Sequence, residues 1–145
     1  MSVFVDTGLF YALQNTRAQH HGAAKNALSV TNRGLYGRPF TSEYVFDEVV
    51  TLVRSHRGYR EAKVVGDRLL GRGEFPVAYD LLTVTEDDFG SALDVFETYR
   101  DHPLSFTDAT TIALMDAHDI DTLLSFDADF DGIVDRLDPT AVEER

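Results

Sequence analysis

The stretch LSFDADFDGIVDRLD, residues 124–138, decides how this chain is read. From Asp127 it runs D-x-D-x-D-G. Asp127, Asp129 and Asp131 stand two apart, Gly132 sits at the sharp turn of a calcium loop, and Asp138 holds its twelfth position. A calcium hand also needs a helix on each side of that loop. The preceding DTLLSF is too short for one, and Pro139 follows directly after Asp138. The same residues therefore read as a short apolar strand, 122–126, that delivers an acid at its carboxyl end. The fold becomes a sheet with acids along one edge.

The rest of the chain fits that reading. A hydrophobic content of 43% in 145 residues predicts a globular fold, with one domain spanning 1–145. No apolar run approaches ~18 residues, so a membrane-spanning helix is not expected. The N-terminus MSVFVDTGLF lacks the basic start of a signal peptide, which makes a cytoplasmic protein the default expectation. The absence of cysteine excludes disulfides, thiolate zinc sites and cysteine nucleophiles.

Charge is unevenly placed. Residues 54–72 carry six basic and two acidic groups, whereas 73–145 carry three basic and nineteen acidic, within a formal net charge of -12. Such a balance argues at first sight against a nucleic-acid partner. Two of the thirteen basic residues are lysines, Lys25 and Lys63. An acid-rich, lysine-poor surface is also the pattern expected at very high salt, where the Debye length is only ~3 Å at 1 M and net charge says little about partners. An ordinary acidic cytosolic protein and a salt-adapted one both remain open.

Strand and helix signals alternate along the chain. SVFV at 2–5 reads as a buried strand ending at Asp6, followed by helical patterns over 8–14 and 20–31. RPFTS at 38–42 is extended, because Pro39 biases its predecessor away from helix. A helical period covers 42–55, and a second helix, 59–70, ends at Gly71. FPVAYDLLTV at 75–84 reads as a strand. Thr85 and Asp88 form a capping-box pattern ahead of an amphipathic helix marked by Phe89, Ala92, Leu93 and Phe96. A helix over 106–118, the strand 122–126 and a weak strand near 133–137 complete the pattern. Alternating strands and helices predict an α/β fold with a parallel sheet covered on both faces.

Ligands of such sheets bind beyond the carboxyl ends of the strands. Asp6 and Asp127 fall there. Glu48 lies at the edge of the apolar arc of its helix, and Asp108 shares the apolar stripe with Ile112 and Met115. Each acid also has a plain structural reading. Asp6 fits a helix cap or turn, Glu48 an edge residue, Asp108 a capping box with Ser105, and Asp127 a turn former. Together the four weigh differently, since two like charges at 4 Å repel by ~4 kcal/mol at an effective dielectric of 20. A cluster of them calls for a cation, and oxygen-only ligands favour Mg²⁺ or Mn²⁺.

VFVDTGLFYAL, TSEYVFDEVVTLV, LSFTDATTIALM and LLSFDADFD resemble, in order and spacing, the four acidic motifs of PIN-domain ribonucleases. The likeness spans nearly the whole chain, and its length resembles that of VapC-type toxins of type II toxin–antitoxin systems. The resemblance implies a PIN-like three-layer α/β/α sandwich with a short, twisted parallel sheet. It places Asp6, Glu48, Asp108 and Asp127 in the four acidic positions, with Asp6 and Asp108 as primary metal ligands and Thr7 and Thr107 as adjacent hydroxyls. Glu43 competes with Glu48, although it points outward on the wheel, and Asp129 or Asp131 could share the fourth role. The implied activity is Mg²⁺- or Mn²⁺-dependent hydrolysis of RNA phosphodiesters by activated water. The implied partners are an RNA substrate, a cognate antitoxin and a second copy of the chain.

The basic run RSHRGYREAKVVGDRLLGR, 54–72, is a candidate RNA contact with Tyr59 as a stacking ring, although a solvated helical face explains each residue singly. His20 and His21, at a helix start, fit a solvent-facing pair better than RNA ligands. Leu9, Phe10, Leu13, Val64 and Leu69 are candidate partner surface, with core packing the better account of most. Three further functions compete: an RNA-processing nuclease without a toxin role, an inactive binding module of the same fold, and a phospho-acceptor receiver domain. The receiver reading fails for want of a second acid near Asp6 and of any lysine beyond Lys63.

Overall fold

The first strand, β1 (Ser2–Val5), is buried from Val3 onward and forms the centre of a five-stranded, all-parallel sheet. The computed structural model describes residues 1–143. Asp6 ends β1, and the chain turns directly into α1 (Thr7–Gln14) and α2 (His21–Asn32). These lead to β2 (Arg38–Ser42), α3 (Glu43–Arg57) and α4 (Tyr59–Leu70). An edge strand, β3 (Asp80–Leu82), then precedes α5 (Glu86–Thr98) and α6 (Phe106–Ala117). The strands β4 (Thr122–Leu124) and β5 (Arg136–Leu137) close the sheet, with short 3-10 turns at Ala128–Phe130 and Pro139–Ala141.

The strand order is β3-β2-β1-β4-β5. From β1 to β3 the chain advances one strand at a time in one direction, and it then crosses back to β4 on the far side of β1. Right-handed crossovers therefore carry α1 to α4 over one face of the sheet and α5 and α6 over the other. The contacts agree, since α1 packs on α2, α3 and α4, while α5 packs on α6. The result is the α/β/α sandwich expected from the sequence. The direction of winding reverses between β1 and β4, which opens a crevice at their carboxyl ends. Fully buried Phe4, Phe10, Leu69, Leu114, Leu123 and Phe130 fill the core.

Three strands are shorter than their sequence patterns. β3 keeps only Asp80–Leu82 of the expected 75–84, because its partner β2 gives way to α3 immediately after Ser42 and carries Pro39, which has no N–H. β4 stops at Leu124 rather than 126, although Ser125 N still donates to Leu137 O at 3.3 Å. β5 keeps Arg136–Leu137 of 133–137. The start of β2 is set by Gly37, which adopts φ +82 and lies so close to Met1 that a Cβ would fall 2.1 Å from the Met1 carbonyl oxygen.

The residues of the calcium-loop pattern, already set aside in the sequence, serve other purposes. No helix longer than a 3-10 turn adjoins that pattern, and its acids are otherwise engaged. Asp127 caps the turn at Ala128–Phe130, Asp131 holds Arg136 through two hydrogen bonds of 2.7 and 3.1 Å, and Asp138 caps the turn at Pro139–Ala141. Among the described residues no helix is long and apolar enough to cross a membrane.

Candidate active site

Four chain segments deliver acids to the carboxyl edge of the sheet. Asp6 is the first residue after β1, and Asp127 follows β4 by three positions. α3 begins where β2 ends, so its first turns, including Glu48, lie at the same edge. α6 runs back toward the start of β4, so its N-terminal turn, with Asp108, also returns there. Asp6 and Asp108 are only 6% and 9% exposed, while Glu48 and Asp127 are half-buried.

Asp6 occupies the N-cap position of α1 but makes no side-chain cap bond. Its carboxylate turns instead to β4, where Ser125 Oγ donates to Asp6 Oδ2 at 2.6 Å. The cap reading of Asp6 is thereby replaced by a tertiary one. Burial pushes the Asp6 carboxyl up to about 7, the Ser125 hydrogen bond opposes that rise, and the charges of Asp108 and Glu48 add to it. Asp108 is pushed up to about 6, chiefly by burial, and it too feels Glu48 and Asp127. Its hydrogen bonds to Ser105 pull the other way. These mutual influences link all four carboxylates into one electrostatic unit.

Asp108 serves two roles at once. The capping box with Ser105 forms as the sequence pattern predicts, with Ser105 N donating to Asp108 Oδ2 at 2.9 Å and Asp108 N donating to Ser105 Oγ at 3.1 Å. The second carboxylate oxygen stays outside the box. Among the described residues, none of the four acids is in an ion pair. Thr7 Oγ1, beside Asp6, is buried without a hydrogen-bond partner.

Glu43, the competitor of Glu48, is engaged elsewhere. Its Oε1 accepts the Val84 amide at 2.7 Å and ties the start of α3 to the chain after β3. Asp131 is held by Arg136, and Asp129 is exposed beside Asp127, whose Oδ1 accepts its amide at 2.9 Å.

Ser125 is the residue that sequence reasoning missed. It is fully buried, donates to Asp6, and accepts the Asp127 amide at 3.0 Å, so one hydroxyl connects the first and fourth acids. The only sequence signal was its position two before Asp127 in LLSFD.

The basic run on α3 and α4 is largely occupied. Arg57 pairs with Glu61, Lys63 and Arg72 with Asp67, Arg68 lies over Phe75 and reaches Gln14, and Arg54 lies over Tyr59. Arg57 is nine residues beyond Glu48, about 13 Å along the helix at 1.5 Å per residue. The solvated-face reading describes this run. The two histidines also part company. His21 Nδ1 is 2.9 Å from the Ala12 carbonyl and fastens α2 to α1, whereas His20 stacks on Phe126.

Leu9, Phe10 and Leu69 are core residues, exposed by 1% or less, and Leu13 and Val64 are half-buried. Exposed apolar side chains include Tyr59, Val77 and Leu81, and three more share α5. Phe89, Leu93 and Phe96 are 42 to 45% exposed, and of the stripe that marked this helix only Ala92 is buried.

Among the described residues no group of three or more His, Cys, Asp or Glu side chains is arranged to hold a metal ion. The donor chemistry nonetheless fits a hard divalent cation of the Mg²⁺ kind. Such ions are held by one or two carboxylates and otherwise by water and phosphate, not by complete protein cages. Asp6 and Asp108 are two buried carboxylates without a cationic partner among the described residues, with an unpaired Thr7 hydroxyl nearby.

Residues 3–135 match the PIN domain family. The chain is similar to the 23S rRNA-specific endonuclease VapC20 of Mycobacterium tuberculosis, with 29% identity over 131 residues that cover 88% of this chain and 91% of the relative. The crystal structure of that protein, described as a sarcin-ricin loop cleaving toxin, superposes with a TM-score of 0.75 at 28% identity over 88% of this chain and 92% of its own. VapBC2 from Rickettsia felis, bound to a promoter DNA fragment, gives a TM-score of 0.70 over 94% of this chain and 98% of its own. At 13% identity that likeness concerns the fold alone.

Proposed function

The chain belongs to the PIN domain family, and from that premise we propose that it is a divalent-metal-dependent endoribonuclease acting as the toxin of a toxin–antitoxin pair. The observation that carries the proposal is the Asp6–Asp108 pair. Two carboxylates buried at one sheet edge, each pushed up by burial and by neighbouring acids, sit where no cation of the described chain neutralises them. Evolution of a purely structural site would have little use for such an arrangement, because unpaired buried charge is costly.

Asp6 and Asp108 would hold a Mg²⁺ or Mn²⁺ ion, with Glu48 and Asp127 positioning water or completing a second site. When bound, the ion supplies Lewis acidity toward a phosphoryl oxygen and acidifies water. The chain's own residues do the rest. Ser125 fixes the rotamer of Asp6, the capping box fixes Asp108, and half-buried Glu48 and Asp127 accept protons or orient solvent at the rim. No lysine or serine nucleophile is required, consistent with hydrolysis rather than covalent catalysis.

RNA as substrate is supported by the likeness to a 23S rRNA-specific endonuclease, which makes that rRNA the first substrate to try. A cognate antitoxin and a homodimer are further parts of the proposal, supported by the exposed apolar stripe on α5. The test is cleavage of single-stranded and ribosomal RNA by purified protein with Mg²⁺ or Mn²⁺, with EDTA and Asp6→Asn as controls. Cleavage that survives both controls would remove the metallonuclease reading.

A further inference from the structure

The ring of Phe126 stands between two residues of the site. Ser125, before it, is bonded to Asp6, and Asp127, after it, is the fourth acid. Its inner side packs against the first turn of α1 at Gly8, where an ideal Cβ would lie 3.6 Å from Phe126 Cδ2. The His20 imidazole lies nearly parallel to the Phe126 ring, with centroids 4.5 Å apart and an interplanar angle of 17°. His20 is exposed, while Phe126 is half-buried. The stack therefore ends in an aromatic face turned toward solvent, beside the acids.

The backbone of His20 is anchored at the start of α2. Its carbonyl accepts the Ala24 amide at 2.9 Å in the first turn of α2. The neighbouring His21 ring is fixed to the Ala12 carbonyl, and Asn26 Nδ2 donates to the Val142 carbonyl at 2.9 Å, joining α2 to the segment after β5. Asp138, which caps the turn in that segment, is held below the usual carboxylate range chiefly by its hydrogen bonds to Thr140, with Arg136 and His20 adding to that effect.

We propose that His20, backed by Phe126, is a base-stacking platform that receives an unpaired nucleobase of the RNA next to the phosphodiester at the acid site. This rests on the ribonuclease reading above. A parallel two-ring stack with one open face accepts a third ring without rearrangement, and every base offers a π face, so stacking supplies grip without base identity. The platform also answers a difficulty of the molecule. Its surface is strongly acidic and three of the six cations of its one basic run are in internal ion pairs, so phosphate contacts alone give limited purchase on RNA. Aromatic stacking is uncharged and survives high salt, where phosphate contacts are screened.

Binding read in EDTA separates the platform from catalysis. The natural chain has no tryptophan, so His20→Trp places a sole reporter at the platform. Emission of His20→Trp should be quenched by a single-stranded RNA tetranucleotide and should not respond to the same oligomer made abasic. By fluorescence anisotropy of labelled RNA, His20→Ala should bind the base-containing oligomer roughly 5- to 150-fold more weakly, the range that loss of one base–aromatic stack produces. His20→Tyr should stay within a few-fold of wild type. The abasic oligomer should bind wild type and His20→Ala alike. Binding of His20→Ala equal to wild type, or unchanged His20→Trp emission at saturating RNA, overturns the platform even if the protein cleaves RNA. Base-dependent quenching in a protein that cleaves no RNA sustains the platform and sinks the nuclease reading. A His20→Ala defect seen only in binding a partner protein assigns the stack elsewhere and overturns the proposal.

Discussion

Ser125 Oγ donates to Asp6 Oδ2 at 2.6 Å, joining residues 119 positions apart in the chain. The bond crosses from β4 to β1 at the point where the winding of the sheet reverses, and the same hydroxyl accepts the Asp127 amide. Ser125→Ala should leave Asp6 in place but unsupported. Loss of a residue that orients a metal-holding carboxylate typically costs 10- to 100-fold in metal affinity or activity. The expected outcome is roughly that loss in cleavage at limiting Mg²⁺, partly recovered at high Mg²⁺, with the fold intact by circular dichroism. Because the Ser125 hydrogen bond lowers the Asp6 pKa, the rise of activity with pH should also move to higher pH. An unmoved profile with full activity would show that the bond is incidental.

Metal-free stability should fall as pH rises from about 4 to about 7. The Asp6 carboxyl titrates at about 7 in the folded chain against an unfolded value of 3.8, so between these values the folded state binds more protons. Stability is then greatest below the unfolded value and declines until Asp6 has ionised. For Asp6 alone the difference is on the order of 4 kcal/mol at 1.36 kcal/mol per pKa unit. Asp108, pushed up to about 6, adds to it in the same direction but not independently, since both feel Glu48. Urea unfolding in EDTA at fixed ionic strength would measure the slope. In Asp6→Asn it should be visibly shallower, and near pH 8 that variant should equal or exceed wild type in stability.

Mg²⁺ should offset part of that slope. At a hundredfold excess over its dissociation constant one bound ion adds ~2.7 kcal/mol to stability. The gain should be present at pH 8 and shrink toward pH 5, where Asp6 and Asp108 take up protons. The Asp6→Asn/Asp108→Asn double variant should give no gain at either pH. Equal melting shifts in wild type and double variant, with ionic strength held constant, would mean that the four acids are not a metal site.

Glu43 and Glu48 separate by their partners. Glu43 Oε1 accepts the Val84 amide at 2.7 Å, and a glutamine there keeps a carbonyl acceptor. Glu43→Gln should therefore leave both cleavage and melting temperature nearly unchanged, while Glu43→Ala should cost about 1–3 kcal/mol of stability by leaving the amide unpaired. Glu48→Gln should do the opposite, with activity strongly reduced and stability in EDTA unchanged or higher. A Glu43→Gln variant as inactive as Glu48→Gln would exchange the two assignments.

What could be read from the sequence was whatever depends on neighbours in the chain. The capping boxes at Thr85/Asp88 and Ser105/Asp108 form as the residues indicate, because their bonds close over three positions. The run Val3–Val5 ending in Asp6 gave away β1 and its acid for the same reason. Part of the pairing of the basic run was also open to reading, since Lys63 and Asp67 stand four apart on α4, while Arg57–Glu61 spans the break at Gly58 between α3 and α4. Ser125–Asp6, Glu43–Val84 and His20–Phe126 were hidden because each is a tertiary contact that no local period encodes. The α5 stripe marked its helix correctly but not its exposure, because a helical apolar period is identical whether the partner is the chain's own core or another molecule.

That stripe carries the last prediction. Phe89 and Phe96 lie 5.4 and 5.8 Å, between ring centroids, from Phe106, the first residue of α6, and Tyr44 of α3 approaches the same ring at 6.4 Å. Four aromatic rings and Leu93 thus form a continuous apolar surface two residues from Asp108. Exposed patches of this kind mark contact with a partner. If the partner is a second copy of the chain, light scattering at working salt should give a dimer, and Phe96→Glu should give a monomer. Its melting temperature in dilute protein should stay within a few degrees of wild type, because an exposed ring contributes little to the isolated fold. Phe4→Glu, at a fully buried position, is the contrasting control and should not fold. A Phe96→Glu protein that remains dimeric but no longer co-purifies with a co-expressed neighbouring small protein would assign the patch to the antitoxin. If neither assembly changes, α5 has no partner at this face.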